Sequence, residues 1–236
     1  MATFFDCGAG SHVGDKTIPV VAEANPSNEW RQGTIVVNSG IGKTEVVMVK
    51  QAPNNIVQIP VSDFLVMKYS WSDSLDGIDY DSATCFRNTG QGALDNKFVG
   101  WSKNMANSES NVSGVLRWGG DNQLSGAESI MVNMKDLLNN YTSLPQNIDI
   151  AIYGNWYEAK VSGNVTIEFI AYLGGTMSLN NYVWSNSGGN VVFTGSKQVN
   201  VAATGNNNWT DFNSLYSYVG KFVYDKVNKD GLIIFG

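Results

Sequence analysis

Two cysteines and one histidine are all that the 236 residues offer to thiolate or imidazole chemistry. Cys7 and Cys85 lie in different segments, without the spacing of a disulfide or zinc framework, and are read as unpaired. His12 sits in a Gly/Ser-rich stretch with no serine, cysteine or acidic partner at a catalytic spacing. A histidine-based triad would have to rest on that one residue. Charge is scarce as well. Charged residues make up 15% of the chain, and the net charge of −6 runs against the basic footprint that nucleic acid requires. No apolar run approaches the roughly 18 residues of a membrane-spanning helix, so no membrane insertion is expected. The opening Met1–Gly8 has neither a basic nor an apolar region of the kind a secretory signal carries.

What is present suits strands and turns. Glycine (25 residues), asparagine, serine and threonine are abundant, and no long helical period is visible. In the first fifty residues, alternating patterns predict strands over 17–22, 33–38 and 44–51. The glycine-rich link 39–43 reads as a hairpin turn. Its Gly42-Lys43-Thr44 is no phosphate loop: Val37 stands where the first glycine should, and the link feeds a strand instead of a helix. Residues 52–55, Ala-Pro-Asn-Asn, read as a linker.

Beyond it, strands are predicted over 64–69, 82–86, 115–118, 130–134, 148–153, 165–172, 191–193, 199–202, 215–223 and 232–235, with one short helix from Met134 to Tyr141. The clearest strands place Ile150, Ile152, Val165, Ile167 and Phe169 in the core, with Thr166 and Glu168 facing outward. Many short strands between Gly/Asn turns predict a two-sheet sandwich. Trp118, Trp156, Tyr157, Trp184 and Trp209 have two readings, as sheet packing or as a sugar platform.

Two acidic stretches stand out. Trp71-Ser72-Asp73-Ser74-Leu75-Asp76-Gly77-Ile78 is a turn that runs into Asp79-Tyr80-Asp81, and Gly120-Asp121-Asn122 leads by a loop to Glu128. In a strand, residues two apart share a face, so Asp79 and Asp81 point the same way. Two carboxylates on one face repel unless a positive group lies between them. With Asp121, Asn122 and Glu128 they offer hard oxygens of the kind Ca²⁺ takes at about 2.3–2.6 Å. A solvated acidic loop with Asx turns is the other reading of these residues.

This pair of motifs resembles the TerD-like family of calcium-binding β-sandwich proteins, over roughly residues 57–236. Asp79 and Asp81 fall on its first motif; Gly120, Asp121, Asn122, Glu128, Ile130 and Val132 fall on its second. The resemblance implies a structural Ca²⁺ held by Asp79, Asp81 and Asp121, with Asn122 and Glu128 as helpers. The chain departs from the pattern at residues 123–127, which hold no acid, so one calcium site is expected to be weakened or lost.

Residues 1–53 resemble part of a BACON domain, an immunoglobulin-like module. The matching residues are Asn25-Pro26-Ser27, Trp30-Arg31-Gln32-Gly33-Thr34-Ile35 and Val47-Met48-Val49-Lys50-Gln51-Ala52. The fold expected is thus all-β: a partial BACON-like segment (1–53), then a TerD-like sandwich (57–236). A half module exposes sheet edges and an apolar face that something must cover. The combination resembles structural proteins of crAss-like phages. It implies a non-enzymatic virion component (capsid decoration, head fibre or tail), made in the bacterial host cytoplasm. Its partners would be other virion subunits or copies of itself. A calcium-dependent module for surface glycans, or a bacterial TerD-like stress protein, is the alternative.

Overall fold

The computed structural model describes residues 5–6, 21–22, 25–27, 29–38, 42–71, 79–101, 108–122, 127–157, 162–204 and 215–236. The expectations for Cys7, His12, residues 17–20, most of the 39–43 link, the turn 72–78, residues 123–126 and Trp209 lie outside these. The chain divides into two units, Met1–Val57 and Gln58–Gly236.

In the first unit, β1 (Phe5–Asp6) pairs with β2 (Val21–Ala22). β3 (Arg31–Asn38) pairs antiparallel with β4 (Thr44–Gln51) along its whole length, from Arg31 opposite Gln51 to Asn38 opposite Thr44. Asn25 ties down the chain before this ribbon. Its side-chain amide donates to the carbonyls of Glu29 and Ala52, and its oxygen accepts from the Ser27 hydroxyl. Both faces of the ribbon carry apolar residues. Val36 and Val46 sit opposite each other and are 55% and 60% exposed; Met48, on the same face, is 64% exposed. On the other face, Val37 and Val47 are also exposed.

The second unit is a sandwich-like pair of sheets. Its strands are β5 (Ile56–Ile59, which runs across the boundary at Val57), β6 (Phe64–Ser70), β7 (Tyr80–Phe86), β8 (Phe98–Gly100), β9 (Ser108–Glu109), β10 (Asn111–Val112), β11 (Leu116–Trp118) and β12 (Ala127–Asn133). After helix α1 (Met134–Asn140) come β13 (Asn147–Trp156), β14 (Gly163–Leu173), β15 (Thr176–Asn180), β16 (Val183–Ser187), β17 (Asn190–Val201), β18 (Ser217–Asp225) and β19 (Asp230–Phe235). One sheet runs β10-β11-β12-β6-β14-β17, the other β5-β19-β18-β13-β7-β8-β9. Aromatic pairs close the space between them. Phe169 on β14 meets Phe235 on β19 edge-on at 5.9 Å, and Tyr69 on β6 meets Tyr80 on β7 at 6.0 Å. Ile150, Ile152, Val165, Ile167 and Phe169 are all fully buried, and Thr166 and Glu168 are not, as the alternation requires.

Several central strands are buried on both faces, because each sheet also carries a partial outer cover. The β15–β16 hairpin brings Trp184 and Met177 onto Phe64, Val66 and Met131. Leu215 and Tyr216 cover Ala83 and Cys85 of β7. Cys85 is a free, buried thiol, its pKa pushed up to about 11 by that burial.

Some boundaries differ from expectation. The strands read separately at 191–193 and 199–202 are one continuous β17, because Gly195 does not break it; the ring of Phe193 lies over that glycine instead. β5, β8 and the β15–β16 hairpin were not anticipated, since their short runs lack clear alternation. The helix is close to the reading. Asn133 caps it, accepting from the Asp136 backbone N–H at 2.9 Å, while its amide donates to the Asp136 carboxylate at 2.8 Å. Asn133→Ala is expected to cost about 0.5–2 kcal/mol, read as a lower urea midpoint.

Candidate metal centre

β7 begins where the carboxylates gather. Asp79 stands just before the strand, its carbonyl held by the Tyr157 N–H at 2.9 Å. Tyr80 then packs edge-on against Trp156 at 5.0 Å and against Trp71 at 5.7 Å, which fixes the start of the strand. Two residues on, Asp81 shares the face of Asp79 and is 1% exposed.

Asp121 arrives from the other sheet, on the loop between β11 and β12. Two glycines shape that loop. Gly120 has φ +108°, a conformation that favours glycine. A Cβ on Gly119 would come within 2.2 Å of the Tyr182 carbonyl, while its N–H donates to the Ser129 carbonyl at 2.7 Å. Together they turn Asp121 toward β7. Carboxylate oxygens of Asp79, Asp81 and Asp121 all lie within 4.8 Å of one another, and this triad can hold a metal ion.

The electrostatics are those of crowded anions. Burial and the neighbouring Asp121 push Asp79 up to about 6. Burial, then Glu128, Asp79 and Asp121, raises Asp81 well above the carboxylate range. Asp79 Oδ1 and Asp81 Oδ2 are buried without a hydrogen-bond partner among the described residues. The ion pairs Lys68–Glu168 and Lys221–Asp149 involve neither Asp79 nor Asp81. A buried, unpaired carboxylate oxygen is costly unless a proton or a cation meets it.

The other two expected ligands are placed differently. Glu128, on β12, is fully buried but stands outside the triad. Its Oε2 accepts from the Ser82 hydroxyl at 2.7 Å, the Ser82 N–H at 3.3 Å and the Trp118 indole N–H at 3.3 Å. Its Oε1 accepts from the Asn122 N–H at 3.2 Å. Burial drives its pKa up to about 8 against the lowering effect of these donors. Asn122 also donates its side-chain amide to the Ala127 carbonyl at 3.4 Å. The sequence reading missed Ser82 and Trp118 as parts of this arrangement; their adjacency to Asp81 and Gly119 was the available signal.

Three of the aromatic candidates make packing contacts. Trp156 is buried and donates to the Val201 carbonyl at 3.1 Å; Trp184 is buried in the hairpin cover; Tyr157 meets Trp101 edge-on at 6.0 Å. Set against known proteins, the chain matches no family model, no curated protein and no solved structure.

Proposed function

We propose that this chain is a non-enzymatic structural protein that works through contacts with other subunits, as a component of a phage virion, and that one structural Ca²⁺ clamps its second unit. The observation that carries the ion is the Asp79–Asp81–Asp121 triad with its buried, unpaired Asp81 oxygen. Three carboxylates from the protein itself form an all-oxygen donor set, which suits calcium better than magnesium, an ion that usually keeps several waters and takes only one or two carboxylates. Asp79, Asp81 and Asp121 would hold the ion, which supplies positive charge where the fold has gathered negative charge. It joins β7 to the β11–β12 loop, and so one sheet to the other.

The subunit role is supported by the first unit. Its β3–β4 ribbon exposes Val36, Val37, Val46, Val47 and Met48, and it is a two-stranded sheet among the described residues. An apolar two-stranded ribbon is marginal in water and suits burial against a partner subunit.

Elemental analysis and thermal melting of the full chain test the ion. Calcium at about 100 times its dissociation constant adds about 2.7 kcal/mol of stability, which chelator removes. The double change Asp79→Asn with Asp81→Asn is expected to abolish the difference between calcium and chelator. Melting that chelator leaves unmoved, with no metal found, defeats the calcium reading. For the subunit role, deleting residues 1–53 is expected to leave a folded second unit that no longer assembles, by light scattering. A full-length monomer that binds polysaccharide only with calcium would put the glycan reading in its place.

A further inference from the structure

We propose that Glu128 is a positioning residue for this centre and not a ligand of its ion: it locks the Asp121 loop and the start of β7 into the geometry that brings the three aspartates together. The inference rests on the metal reading above.

Glu128 projects from β12, in the six-stranded sheet, on the face shared with Ile130 and Val132. Four donors converge on it, three on Oε2 and one on Oε1. They come from three places that must stay in register. Ser82, on β7 of the opposite sheet, gives its hydroxyl and its N–H. Trp118, at the end of β11, gives its indole N–H just before the Gly119-Gly120 turn. Asn122, next to Asp121, gives its backbone N–H. Ser82 follows Asp81 directly, and Asn122 follows Asp121 directly. One buried side chain therefore fixes the backbone beside two of the three clustered carboxylates, from across the gap between the sheets. A ligand needs an oxygen turned to the ion. Here the oxygens are turned to donors, and Glu128 stands outside the group whose oxygens lie within 4.8 Å of one another.

Once ionised, Glu128 also sets negative charge behind Asp81, so position and charge must be separated by the variants chosen. Glu128→Gln removes the charge and disturbs the donors. Ser82→Ala removes the shortest hydrogen bond and leaves the charge in place.

The experiment is titration of the full chain with Tb³⁺, a luminescent stand-in for calcium. Emission lifetimes in H₂O and D₂O then count the waters left on the bound ion. Loss of a partner that orients a ligand typically weakens metal binding by about 10–100-fold. Glu128→Gln is expected to bind in that weakened range with an unchanged water count. Ser82→Ala is expected to weaken binding in the same direction, also with an unchanged count. Asp81→Ala, which removes a ligand, is expected to weaken binding and raise the count. If Glu128→Gln raises the water count as Asp81→Ala does, Glu128 is a ligand and the proposal falls. If Ser82→Ala binds as tightly as wild type, the clamp does not position the site and the proposal also falls. Should wild type fail to bind Tb³⁺ at all, the metal reading itself is lost, a result distinct from the other two. Ser82→Ala keeps the test decisive if Glu128→Gln does not fold.

Discussion

Ile167→Ala is expected to lower the free energy of unfolding by about 2–5 kcal/mol, the range for truncating a fully buried aliphatic side chain. Ile167 sits mid-strand in β14, opposite Tyr69 of β6 on one side and Lys197 of β17 on the other. It shares the inner face with Val165 and Phe169, and all three are completely buried. The cavity left by three lost carbons has no mobile segment of β14 to collapse into it, because both neighbours pair with the strand along most of its length. Urea denaturation is expected to show a lower midpoint with an unchanged slope. Thr166→Ala is the control, on the opposite face, and is expected to stay within about 0.5 kcal/mol. Equal midpoints for the two variants would refute the assignment of the core face.

In the metal-free protein, the melting temperature is expected to fall as pH rises from about 4 to about 8. Asp79 is raised from 3.8 to about 6, and Glu128 from 4.5 to about 8, chiefly by burial. Asp81 is raised as well. Between the unfolded and folded values of each group, the folded state binds more protons than the unfolded one, so stability declines with pH across that window. Calcium reverses the sense. It binds the ionised carboxylates, so its affinity grows as they lose their protons. Saturating calcium is therefore expected to add little near pH 4 and most near pH 8, and the two melting curves separate as pH rises. Asp79→Asn with Asp81→Asn is expected to close the gap and to lessen the metal-free slope, leaving the part that Glu128 contributes. A metal-free melting temperature that does not change between about pH 5 and about pH 8 would show that these carboxylates are not crowded in solution.

The alternation of Val165, Ile167 and Phe169 against Thr166 and Glu168 was legible because one face of β14 meets the other sheet and the opposite face does not. The pairing of Asp79 with Asp81 was legible because residues two apart in a strand share a face. The meeting of both with Asp121 was carried by resemblance, since the two loops come from different sheets and no local pattern joins them. Glu128 was read as an ion ligand because an acid after Gly-Asp-Asn suggests one. What redirects it is the set of donors on Ser82 and Trp118, and hydrogen-bond direction has no sequence period. The β15–β16 hairpin escaped because its strands are short and mostly exposed, apart from Trp184, which closes over the outer face of β6 and β12. β17 was split in two because glycine usually weakens a strand. At Gly195 the Phe193 ring takes the space a side chain would have filled.

The place of β6 in its sheet sets a timetable for synthesis. Phe64–Ser70 pairs with β12 on one side and β14 on the other, and the contact from Ser70 to Thr166 spans 96 residues. At about 5–20 residues per second, a ribosome needs about 5–20 s to deliver the second partner after the first strand has emerged. Until β12 emerges, Phe64-Leu65-Val66-Met67 is an apolar segment with two open edges, and one edge stays open until β14 follows, the kind that recruits a neighbouring nascent chain. Lys68 is the only charge within β6, and it guards the strand until Glu168 arrives to pair with it. Many copies made on one polysome would present many such strands at once. The yield of soluble protein then depends on how quickly translation passes residue 170, and slowing it should favour aggregates over folded chains.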